Sequence, residues 1–181
     1  MSIIKDIRAF TVDSGKKSTD YTSQPKGHWI TDTLVANPMA IYPEYRGSRT
    51  SWGIGVLGSV VVEVELENGV IGVGISTAGP PGCWLIEHHL KQFAIGQNVT
   101  NVELIWDQMW RASMPYGRKG ITIHAISAID LAIWDAMGKD AGKPVYDLLG
   151  GPLRSTLSLY ATSPAAASVK KQGFQGVKVP L

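Results

Sequence analysis

The chain has 181 residues, 44% of them apolar, enough for one domain with a sizeable core or one domain plus part of a second, and too apolar for a disordered chain. Its 17 basic and 15 acidic residues leave a net charge of +2, too balanced to point to nucleic acid or to an anionic membrane as partner. A single cysteine, Cys83, excludes an internal disulfide or a multi-cysteine metal site and reads as an inert, partly buried thiol.

The N-terminus MSIIKDIRAF has no charged segment followed by an apolar one, so no signal peptide is expected. No apolar run approaches the ~20 residues that span a bilayer, and a cytoplasmic location is the expectation. Ile3 to Val12 alternates loosely, with Ile7, Ala9 and Thr11 on one face, and reads as a strand. From Asp13 to Gly55 no period is sustained, and Pro25, Pro38 and Pro43 punctuate the stretch. A connection of ~40 residues is far longer than the usual few and is typically a lid or binding loop. Trp29, Ile30, Leu34, Met39, Ile41, Tyr42, Tyr45 and Trp52 give it apolar side chains that need something to pack against.

Gly58 to Thr77 is the clearest pattern in the chain. Val60, Val62, Val64 and Leu66 alternate with Val61, Glu63, Glu65 and Glu67, the period of a half-buried strand. Asn68-Gly69 follows, a pair suited to a type I′ turn. Ile71, Val73 and Ile75 alternate with Gly72, Gly74 and Ser76 on the return. The expected product is a β-hairpin that pairs with the N-terminal strand in a three-stranded antiparallel sheet.

Pro80-Pro81-Gly82 reads as a turn, and Cys83 to Ala94 as a short helix. Thr100 and Glu103 have the spacing of a capping box, followed by Val102, Ile105, Trp106, Met109 and Trp110 in an amphipathic stripe. Those tryptophans read as core. Ile121 to Lys139 is expected to be the most buried helix, with Gly142 as its C-terminal cap and Pro144 blocking continuation. His88 and His89 are adjacent on a helix, about 100° apart and not at metal-ligand spacing. His124 reads as a packed or capping histidine. Thr156 to Tyr160, Ser163 to Gln172 and Gly176 to Pro180 read as strand, helix and strand. One such unit cannot bury a parallel sheet on both faces, so a barrel cut short at Leu181 is expected. The expected domains are 1–151 and 152–181.

This order resembles the enolase superfamily in its mandelate racemase-like branch. The segments that carry the resemblance are ISAIDLAIWDAMGKDAGKPVYDLLGG (Ile126 to Gly151) and GFQGVKVP (Gly173 to Pro180). The fold it implies is α+β: an N-terminal capping domain, made of a three-stranded antiparallel sheet and a helical bundle, followed by the first strands of a truncated (β/α) barrel. Within the superfamily, GHWITD (Gly27 to Asp32), NPM (Asn37 to Met39), SRTSWGIGVLGSVVVEVE (Ser48 to Glu65) and STAGPPGC (Ser76 to Cys83) resemble the L-rhamnonate dehydratase family.

That resemblance implies substrate contacts from His28 and Arg49 in a loop that closes over the barrel mouth. Arg46 is a reserve candidate, and Trp29 a candidate pocket wall. The chemistry suits an acid-sugar substrate: arginine offers a planar charged fork to a carboxylate, and histidine donates or accepts near neutral pH. Where relatives end this strand in Lys-x-Lys, this chain has Lys178-Val179-Pro180, so Pro180 cannot serve as the second lysine's base. Lys178 keeps an electrostatic role. The resemblance further implies Mg²⁺, held by three barrel carboxylates absent from this sequence, and a homo-oligomer when the barrel is complete. Glu63, Glu65, Glu67, Asp130 and Asp135 do not replace them. By itself the chain is expected to be inactive. Two alternatives remain: another acid-sugar dehydratase or epimerase of the superfamily, or a non-catalytic binding or assembly module.

Overall fold

The computed structural model describes residues 2–12, 38–46, 57–163 and 165–178, and the chain divides into two compact units, Met1–Lys16 with Gly55–Gly151 and Lys17–Ile54 with Pro152–Leu181. In the first unit, β1 (Ile4–Val12), β2 (Ser59–Leu66) and β3 (Ile71–Ser76) form an antiparallel sheet in that order. The expected sheet is therefore present. Val60, Val62, Val64 and Leu66 are fully buried on one face of β2. On β1 the buried residues are Ile4 and Ile7, three apart rather than two. A register shift between Ile4 and Asp6 supplies the extra residue that turns both side chains inward.

The hairpin closes differently from the expected type I′ turn. Gly69 N–H donates to Leu66 C=O, and Leu66 N–H to Val70 C=O. Gly69 alone takes positive φ, at 84°, while Asn68 stays negative. This is the three-residue hairpin loop, a turn ended by a left-handed glycine. Asn68 is held in it by its side chain, whose Nδ2 donates to Asp140 Oδ1 at 2.6 Å and whose Oδ1 accepts from Val70 N–H.

The helix after β3 starts earlier than the sequence suggests. Helix α1 (Gly79–Leu85) takes Pro80 and Pro81 into its first turn, where a missing N–H costs nothing, so the prolines begin the helix and do not mark a separate turn. It runs on through a π-helical turn (Ile86–Leu90) and a 3-10 turn (Lys91–Phe93). Helix α2 (Val102–Ser113) buries Val102, Ile105 and Met109 of the expected stripe, but the tryptophans are not the core residues expected: Trp106 is exposed and Trp110 half-buried, and their rings stack at the helix margin, 6.3 Å between centres. The expected capping box is absent. Asn101 is the N-cap residue without a side-chain bond, and the Thr100 hydroxyl donates to Asn98 Oδ1 at 2.9 Å instead.

Helix α3 (Ile121–Ala141) is the core helix, with Ala125, Ile126, Ala128, Ile129, Ala132, Ile133 and Ala136 buried. Gly142 caps it in the left-handed conformation, and α4 (Val145–Leu148) follows Pro144. At 21 residues α3 is, by length and composition alone, apolar enough to cross a bilayer, contrary to the expectation that no run approaches that size. Half of that apolar window is buried inside the unit, as in the core helix of a globular domain.

Helix α3 lies against the glycine face of β3. A Cβ built on Gly72 would stand 2.1 Å from Ala132 O, and one on Gly74 2.0 Å from Ala128 O. Ile71, Val73 and Ile75 consequently point outward and are 37%, 40% and 58% exposed. In the second unit, β4 (Tyr160–Thr162) pairs in parallel with β5 (Gly176–Lys178) through α5 (Ala166–Lys171). The strand expected from Thr156 begins only at Tyr160.

Candidate functional site

His28, Trp29 and Arg49 lie outside the described residues. Arg46 is exposed at the end of a 3-10 turn (Pro43–Tyr45), which starts at a proline with preset φ. Its Nε donates to Ala40 C=O at 3.3 Å, so the side chain folds back on its own loop. Lys178 is exposed on β5, paired in register with Thr162, and its carbonyl accepts Ser163 N–H at 3.1 Å. The parallel pairing aligns Lys178 with the C-terminal end of β4, the end at which α/β barrels carry their chemistry.

The three histidines among the described residues have structural partners. His88 is exposed and tilts over Trp84, 5.0 Å between rings. His89 Nδ1 shares a hydrogen bond of 2.5 Å with the Tyr116 hydroxyl, whose pKa burial pushes above the ordinary tyrosine value. His124 is exposed, not packed, with Nδ1 3.3 Å from both Ser76 Oγ and Thr77 Oγ1. Burial raises the Cys83 thiol, helped by the charge of Glu87, which makes it a poor nucleophile, as expected.

The carboxylates of the first unit are arranged for structure. On the outer face of the sheet, Lys5 meets Glu65 at 2.6 Å and Arg8 meets Glu63 at 3.1 Å. An open groove of ≈ 720 Å³ runs between β3, α3 and α4, walled by Val73, Ile75, Leu131, Trp134, Val145 and Leu149. Asp130 sits in it, and burial, then the charge of Glu103, raises its carboxyl above the usual range. Among the described residues no three His, Cys, Asp or Glu side chains converge as metal ligands do. These residues therefore do not fit a magnesium site.

A feature the sequence reading passed over is a pair of acid–lysine couples at i,i+4, Glu87–Lys91 at 2.5 Å and Asp135–Lys139 at 2.7 Å. Their spacing on helical segments was the available signal.

A three-stranded sheet backed by a buried helix, with a βαβ unit following, defines the class as an α+β capping domain of enolase-superfamily type. Residues 43–150 match the family described as mandelate racemase / muconate lactonizing enzyme, N-terminal domain, and the chain belongs to it. It is 53% identical over 178 residues to the L-rhamnonate dehydratase of Saccharopolyspora erythraea, covering 98% of this chain and 45% of that one. Rhamnonate dehydratase from Gibberella zeae, solved in complex with Mg, superposes with a TM-score of 0.86 at 45% identity, over 99% of this chain and 44% of the other. The 3,6-anhydro-D-galactonate cycloisomerase of Zobellia galactanivorans matches 68% of this chain and 37% of its own, at 34% identity and a TM-score of 0.61. The chain spans less than half the length of the curated relatives it matches.

Proposed function

We propose that this chain supplies the capping domain, residues 1–151, and the opening of the barrel, residues 152–181, of an acid-sugar dehydratase of the L-rhamnonate type. The observation that carries this is an identity of 53% over 98% of the chain, a span that takes in the long loop as well as the scaffold. Loops vary faster than the elements they connect, so a likeness of scaffold alone would fade there.

In this reading His28 and Arg49 contact the substrate, Trp29 walls the pocket, Arg46 stands in reserve, and Lys178 balances carboxylate charge. Arg49 would fix the substrate carboxylate or the hydroxyls beside it through its planar fork, and His28 a hydroxyl. The reaction would remove the proton α to the carboxylate and expel the β-hydroxyl to give a 2-keto-3-deoxy acid. Mg²⁺ is the proposed cofactor of the whole enzyme. Its ligands and the base are proposed to come from the part of the relatives that this chain does not span, so the chain alone is proposed to be inactive. The cycloisomerase similarity favours one second reading, another acid-sugar reaction on the same scaffold.

The test is to read the gene past the codon for Leu181, express the longest in-frame product, and assay L-rhamnonate with Mg²⁺ for 2-keto-3-deoxy product. Turnover that falls roughly tenfold to a hundredfold in kcat/KM in His28→Ala and in Arg49→Ala supports the reading. Turnover of a different acid sugar favours the second reading. Failure with every acid sugar overturns both.

A further inference from the structure

A three-stranded sheet has two edges, and the outward backbone groups of each must find partners or invite another strand. On β1 partners run from Ile4 to the Ala9 amide. Ile4 N–H donates to Gln97 C=O and Ile4 C=O accepts from Gly96 N–H. Past the register shift, Ile7 N–H donates to Asp6 Oδ1 at 2.8 Å. Lys91 Nζ then donates to Ile7 C=O at 3.3 Å, while Ala9 N–H donates to Glu87 Oε1 at 2.6 Å.

The opposite edge repeats the arrangement. Lys139 Nζ donates to Ile71 C=O at 2.9 Å, and Val73 N–H donates to Asp135 Oδ2 at 2.7 Å. In both cases the lysine takes the carbonyl of one residue and the acid takes the amide two residues further on. In both, acid and lysine are four apart on a helical segment and paired to each other. The segments differ, a π-helical turn running into a 3-10 turn against β1 and the core helix against β3. Two unrelated pieces of chain thus present the same ionic fork to the two edges of one sheet.

We propose that Glu87–Lys91 and Asp135–Lys139 are edge clamps that close this sheet against strand addition by a second copy of the chain. A strand needs a run of free, alternating donors and acceptors. Each clamp occupies one acceptor and the next donor with charged groups whose removal would leave both unpaired. Charged side chains over a sheet edge also make the approach of an apolar strand unfavourable.

Amide hydrogen exchange on the unaltered chain is the first measurement. The Ala9 and Val73 amides are expected to exchange at least ~100-fold more slowly than in an unstructured peptide of the same sequence. Exchange near the unstructured rate at both would overturn the proposal. In Glu87→Ala the Ala9 amide, and in Asp135→Ala the Val73 amide, is expected to speed up at least ~10-fold while Val62 in the central strand is unchanged. The variant with all four residues replaced by alanine, checked for fold by circular dichroism, is then sedimented across a range of concentrations. Association beyond that of the unaltered chain supports the closure, and an unchanged oligomeric state in a folded variant overturns it. If that variant does not fold, the two clamp pairs are removed separately, and the exchange measurement on the unaltered chain decides alone.

Discussion

The two strands of the hairpin solve the same packing problem in opposite ways. Strand β2 buries Val60, Val62, Val64 and Leu66, and its neighbour β3 buries Gly72 and Gly74 in register with Val64 and Val62. The difference follows from what lies above them. Over β3 runs α3, whose Ala128, Ala132 and Ala136 sit at successive turns and present no side chain beyond Cβ. Small residues on both surfaces bring helix and strand backbones within contact distance. Bulk is moved to the neighbouring strand, where Val and Leu fill the space beside that contact. The β-branched residues of β3 are left to the outer surface, where they form one wall of the groove.

Substitutions that reverse this division of sizes test it directly. The largest effect is expected for Gly74→Ala, whose new Cβ would sit 2.0 Å from Ala128 O and force the helix off the strand. A loss of about 3 kcal/mol or more in chemical denaturation is expected, near the upper end for overpacking. Next comes Val62→Ala, which removes two buried methyl groups and leaves a cavity, at roughly 2 kcal/mol. At the other extreme, Ile75→Thr alters a residue that is 58% exposed and keeps its branching at Cβ, and should change stability by less than about 0.5 kcal/mol. A Gly74→Ala protein as stable as the parent would mean that the helix does not rest on the strand backbone.

Two carboxyls flanking the sheet sharpen the comparison through pH. Burial would raise Glu87, but hydrogen bonds from Lys91 and Ala9 outweigh it and hold the group below the usual glutamate range. Its contribution to stability is present above the ordinary glutamate pKa and is lost as pH falls through the lowered value. Asp130 is opposite in sign: burial, then Glu103, raises it. The folded state therefore prefers its protonated form, and stability is lost as pH rises past the ordinary aspartate value. Asp130→Asn is expected to raise Tm slightly at neutral pH, the smallest of these effects, with the gain vanishing in acid below the ordinary aspartate pKa. Glu87→Ala should lower Tm at neutral pH and converge with the parent in acid.

Much of the scaffold was legible in the chain because its signals are local. The alternation of β2, the aliphatic part of the α2 stripe, and the glycine cap and proline after α3 each arise from residues within a few positions, and each is found where expected. Family-specific segments such as Ile126 to Gly151 were legible for the same reason, and they identify the class before any contact is known. Local signals failed where two local solutions compete. Asn68-Gly69 accommodates more than one turn, and the bonds of Asn68 to Asp140 and Val70 accompany the three-residue loop. Thr100 has a carboxylate three residues on and an amide oxygen two residues back in the sequence, and both its N–H and its hydroxyl donate to the latter, Asn98 Oδ1.

The sequence by itself determined the elements, their order and the family, because periodicity, capping residues and motifs act over one or two turns. Tertiary structure alone decided which face of β3 turns inward, since alternation is symmetric until a helix covers one side. It also decided that Glu87, Lys91, Asp135 and Lys139 bond to backbone atoms of strands 62 to 84 positions away. A charged side chain carries no mark of the carbonyl or amide it will meet, and that partner exists only once helix and sheet edge have been brought together.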